Sequence, residues 1–137
     1  MDSKFHIIDE IKFSPSALTI RLTALHNGKP DGLIGLPLTV TNESSRYLVK
    51  FEHVGRFRVI SEAFNEFKEP YEEITNFVYR MINSQYLQDY GETAKIFAFD
   101  VPHDAKIEHY AVYSEYYVVD ILSASPPSVE TLDGGIA

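Results

Sequence analysis

Five histidines, His6, His26, His53, His103 and His109, are the residues of this chain best suited to proton transfer or metal binding. None has a second histidine four residues away, the spacing that sets two imidazoles around zinc on one helical face. His103 and His109 flank Asp104 and Glu108, so the residue types of a metal site are present. Two imidazoles and solvated acids do not close a tetrahedral donor set. The grouping reads as a loop histidine and a second histidine at a strand start. Carboxylates cluster at Glu62, Glu66, Glu69, Glu72 and Glu73. Acid–base catalysis by paired carboxyls needs burial to drive their pKa values apart, and a stretch this rich in acids reads as solvated. The serines form no Gly-x-Ser-x-Gly elbow. Gly32-x-x-Gly35 is too short for a phosphate loop and lacks a following Lys-Ser/Thr. With no cysteine, disulfides and thiolate chemistry are excluded. No catalytic residue, metal or cofactor is assigned. His53, His109 and Glu62 are the set that a pocket would have to gather if the chain were an enzyme or a small-molecule binder.

Tyrosine is the other informative type. Tyr110, Tyr113, Tyr116 and Tyr117 fall near the C-terminus, and Tyr79, Tyr86 and Tyr90 lie earlier. Aromatics alternating with bases would suit single-stranded nucleic acid. Here the neighbouring charges are mostly acidic, and the net charge is −8 from 20 acids and 12 bases. That field repels phosphates and anionic membranes and attracts basic proteins. Tyrosine pairs a large apolar body with a polar tip, which suits a core rim or an interface equally.

The elements that must hold these residues read as mostly strands. His109–Tyr113 and Tyr116–Ser123 form a β-branched and aromatic hairpin stopped by Pro126-Pro127. Leu18, Ile20 and Leu22 alternate with Thr19, Arg21 and Thr23, which predicts a half-buried strand. The stretch 47–61 predicts one bent strand or two with a kink at Gly55, where a bulge is expected. Residues 65–73, with Pro70, read as a loop, and 77–82 as a strand. Asn83-Ser84 offers a helix N-cap. The helix after it carries Leu87, Tyr90, Ala94 and Phe97 at helical spacing, with a break expected at Gly91. At 137 residues and 45% hydrophobic content, one domain spanning 1–127 is expected, with 128–137 as a flexible tail. The fold class is α+β, mainly β: an antiparallel curled sandwich or partly open barrel with one helix. The N-terminus carries no signal-peptide pattern and no run is long enough for a membrane helix. The expectation is a soluble cytoplasmic protein.

Phe51-Glu52-His53-Val54-Gly55-Arg56-Phe57-Arg58-Val59-Ile60-Ser61-Glu62 resembles a strand shared by a diffuse group of small bacterial proteins. Asn83-Ser84-Gln85-Tyr86-Leu87 resembles their serine-led helix start. Ile107 to Tyr113 with Val118 to Ser123, Pro126-Pro127 and Val129 resembles their closing hairpin. Some members of that group look like immunity proteins of polymorphic or contact-dependent toxin systems. The resemblance implies a non-enzymatic protein that binds and blocks a toxin domain, and it supplies no catalytic residues. On this reading Glu66, Glu69, Glu72 and Glu73 steer a basic protein partner, and Tyr86, Tyr90 and Tyr116 anchor it. The alternatives are a small-molecule-binding barrel or enzyme built on His53, His109 and Glu62, and a structural homodimer joined at a sheet edge.

Overall fold

The computed structural model describes residues 6–27, 38–39, 45–61, 69–98, 101 and 104–132. Along the chain these form β1 (His6–Ser14), β2 (Ala17–Ala24), β3 (His26–Asn27), β4 (Leu38–Thr39), β5 (Arg46–Phe51) and β6 (Val54–Ser61). Then come β7 (Tyr71–Thr75), β8 (Val78–Met81), α1 (Gln85–Phe97), β9 (Glu108–Tyr113), β10 (Tyr117–Ser123) and β11 (Ser128–Leu132). Two antiparallel sheets dominate, in the orders β1-β2-β5-β11 and β6-β10-β9-β8-β7, with β3 and β4 paired separately. The described residues make a mainly β sandwich with one helix, and they do not form a closed barrel. Among the described residues no helix is long and apolar enough to cross a membrane.

The alternation read in β2 is what the core uses. Leu18, Ile20 and Leu22 are fully buried, and Val49 and Phe51 of β5 lie beside them in register. The second sheet supplies Val54, Val78, Val112, Val119 and Ile121 to the same cluster. Burying a side chain of this size stabilises the fold by about 1.5–3 kcal/mol, so the shared cluster is what binds the two sheets.

The stretch around Gly55 splits between the sheets. β5 ends at Phe51 in the first sheet and β6 starts at Val54 in the second. The expected irregularity sits at Gly55, where Leu122 pairs with Arg56 and Ser123 with Val54. The reason for glycine is close approach. A Cβ there would lie 1.8 Å from the carbonyl oxygen of Ala94, in the backbone of α1.

Three expectations are corrected. Residues 71–73, read as the end of a loop, belong to β7; Glu72 faces Arg80 across the β7–β8 ladder, and their side chains pair at 2.8 Å. That cross-strand contact offsets the weak strand preference of glutamate. The helix runs unbroken through Gly91 to Phe97, with Tyr86 and Ala94 buried beneath it; packing overrides a propensity cost of about 1 kcal/mol. Residues 128–132 are no tail. They form β11, which pairs with β5 and places Val129 against the core. β10 already ends at Ser123, and Pro126-Pro127 does not stop the chain from joining the other sheet.

Candidate functional site

The second sheet has one face in the core and one face outward, and α1 covers part of the outward face. Side chains that point there include Arg56 and Arg58 of β6, Asp120 and Leu122 of β10, and His109 of β9, because they are opposite one another in the ladders.

Ser84 is the N-cap of α1, with its Oγ accepting from the Leu87 N–H at 3.1 Å. Asn83 before it has φ of 51°, a conformation asparagine tolerates, and this turns the chain from β8 into the helix. The Ser84 Oγ also lies 2.6 Å from His109 Nδ1, and His109 Nε2 lies 2.8 Å from Asp120 Oδ1. Arg58 Nε donates to Asp120 Oδ2 at 2.9 Å. One assignment satisfies every atom: the serine O–H donates to Nδ1, and the Nε2–H donates to Asp120. Burial alone would raise the Asp120 carboxyl pKa. The hydrogen bonds from His109 and Arg58 outweigh it and hold the group below its ordinary 3.8.

Serine, histidine and aspartate in a chain are the ingredients of a nucleophilic relay. Here they are buried together beneath α1. Ser84 is 0% exposed, His109 2% and Asp120 5%, so all three are shut off from solvent in this arrangement. The serine lone pair is spent on the helix cap. The chain of bonds ties the start of α1 to β9, β10 and β6, and is a structural clamp. Tyr86 packs against it, its ring 5.1 Å from the His109 ring and the Arg58 guanidinium 4.1 Å over the Tyr86 ring. Arg56 sits 3.9 Å over Tyr90, adding a second cation–π contact.

Tyr86 is therefore misassigned as an anchor: it is only 4% exposed. Burial raises its phenol pKa, while Arg56 and Arg58 pull it down. Tyr90 is at the surface beneath Arg56, and Tyr116 is 65% exposed at the β9–β10 turn. Glu62 and Glu66 lie outside the described residues, as does His103. His53 sits in the turn between β5 and β6, its carbonyl accepting from the Ala124 N–H at 2.9 Å. An open hollow of about 570 Å³ between α1 and residues 104–107 is lined by neither His53 nor His109. Among the described residues no three His, Asp or Glu side chains are grouped to hold a metal.

The acids form a different region. Glu69 Oε2 accepts from the Gln85 N–H at 2.7 Å, so this carboxylate also serves the first turn of α1. Glu72 is bonded to Arg80, and Arg80 reaches on to Glu108 at 3.3 Å. Glu73 is exposed and faces Tyr79 across the ladder; burial first, then Glu73, raises the Tyr79 phenol pKa. Tyr79 belongs to an edge-to-face ladder, 5.5 Å from Tyr71 on β7 and 5.6 Å from Tyr113 on β9. Met81, Ala111 and Val118 back it from within the sheet. Tyr71 is 48% exposed. Sequence reasoning passed over Tyr71 because it read 65–73 as loop. Read as a strand, the period of two puts Tyr71 and Glu73 on one face and Glu72 on the other.

No protein family, curated protein or solved structure matches this chain.

Proposed function

We propose that this is a non-enzymatic, cytoplasmic protein-binding domain that captures a basic partner on the face and rim formed by β7, β8 and β9. Glu69, Glu72 and Glu73 steer the partner by charge, and Tyr71, Tyr79 and Tyr116 offer rings for contact. One observation carries the reading: exposed carboxylates and a tyrosine ladder share the terminal strand of a sheet, whereas the Ser84–His109–Asp120 chain is sealed. Tyrosine gives large contact area at low entropic cost, and acidic surroundings accelerate encounter with a cationic protein. The resemblance of the closing hairpin to immunity proteins makes a toxin domain the partner to test first, blocked by occlusion.

The test is co-expression with the polypeptide encoded by the neighbouring reading frame. If that polypeptide is toxic, the wild-type chain should restore growth, and Tyr71→Ala with Glu73→Lys should weaken the complex at least about tenfold. Association should slow as salt rises. A rate indifferent to salt removes the steering role. A neighbour that is harmless and does not bind removes the immunity reading.

A further inference from the structure

Strand β1 ends the first sheet. It pairs with β2 alone, and no described strand lies on its other rim. Ser14 and Ala17 face each other across the two-residue turn Pro15–Ser16. Residues flanking such a turn exchange both backbone hydrogen bonds. The period of two then turns the backbone groups of Lys12 and Glu10 toward β2 and aims those of Ile11 and Phe13 outward. The ladder skips Asp9, whose carboxylate accepts from the Thr23 hydroxyl, and the His6 carbonyl already accepts from the Glu115 N–H. The regular open rim is therefore the stretch from Glu10 to Ser14. Its inner side is apolar: Phe13 is 47% exposed although its ring leans on Phe57 at 5.1 Å, and Val59 of the adjacent β6 is 43% exposed.

A lysine on an edge strand ordinarily opposes pairing. The order of charges here identifies the one strand that reverses this. A two-fold axis through Ile11 runs β1 antiparallel to its own copy. It sets Ile11 opposite Ile11 and Glu10 opposite the partner's Lys12, twice. An axis shifted by one residue to Lys12 would instead oppose two lysines. Glu10 and Lys12 are exposed side chains whose own contacts are long, 3.7 Å between them and 3.5 Å from Glu10 to Arg21, so both are available for exchange.

We propose that a second copy of this chain adds to β1, joining two first sheets across a two-fold axis at Ile11. The dimer goes beyond the capture of a basic partner and leaves it intact. β1 lies beside β6, and β7 closes the opposite rim of the second sheet, so both acidic rims of the dimer remain open.

Sedimentation equilibrium of the whole chain, over a wide concentration range, tests this. The wild type should approach twice the mass of one chain. Glu10→Lys and Lys12→Glu, made singly, place like charges in opposition and should weaken the dimer at least about tenfold. The double exchange of Glu10→Lys with Lys12→Glu rebuilds the complementarity and should restore it. Thermal melts of each variant confirm that these surface changes leave the monomer folded. A wild type monomeric throughout overturns the proposal. So do single variants that dimerise as well as the wild type, or a double exchange that stays dissociated.

Discussion

Arg58 meets Asp120 at 2.9 Å and Arg80 meets Glu72 at 2.8 Å, yet the two pairs do different jobs. The Asp120 side chain is 7% exposed and is held by His109 as well; the Glu72 side chain is 59% exposed. In the first region water has been replaced by partners, so losing one leaves a buried group with nothing to bond. In the second region water stands ready to replace Arg80, and the pair contributes little to stability. The same residue types therefore make a clamp beneath α1 and a solvated ion pair along β7. Burial, and not bond length, decides which.

The sharpest way to break the clamp is Gly55→Ala. A Cβ 1.8 Å from the Ala94 carbonyl must push helix and sheet apart. Overpacking of this kind should cost about 3 kcal/mol, read as a lower urea midpoint. A midpoint within error of the wild type would mean that α1 does not pack on β6 as described. Asp120→Ala comes next, at about 2–3 kcal/mol, because His109 and Arg58 both lose their acceptor. The Asp120 pKa is lowered in the folded state, so its stabilisation is present in full above the unfolded value and is lost as pH falls below about 3.8. Asp120→Asn should flatten that acid limb of the stability curve, and an unchanged limb assigns the acid sensitivity to other carboxylates. Ser84→Ala removes the helix cap and the bond to His109 together, for about 1–2 kcal/mol in the same titration. Glu72→Gln is the smallest, within about 0.5 kcal/mol, and sharpens the contrast: stability should hold while binding of a basic partner slows.

What the sequence disclosed follows the range of each interaction. The β2 alternation, the Ser84 cap and the closing hairpin are written in neighbouring residues, and all three are present. β11 was hidden because its partner β5 lies far back in the chain, and five short residues after a Pro-Pro pair look like an end. β7 was hidden because all but Thr75 of its residues are exposed, so no apolar alternation marks it. The clamp was hidden for a related reason. Ser84, His109 and Asp120 were each legible as a cap, a strand histidine and a strand acid, but only the β9–β10 register and the seat of α1 bring them together.

The pairing of β11 with β5 has a consequence for biosynthesis. As the chain leaves the ribosome, β5 emerges well before β11 and waits with one flank open until that strand has been made. The first sheet is completed by almost the last described residues, a long-range closure that folds slowly. A nascent or clipped chain lacking β11 displays a bare strand that invites aggregation or proteolysis. Protection of that flank from the cell's quality control thus depends on one short segment.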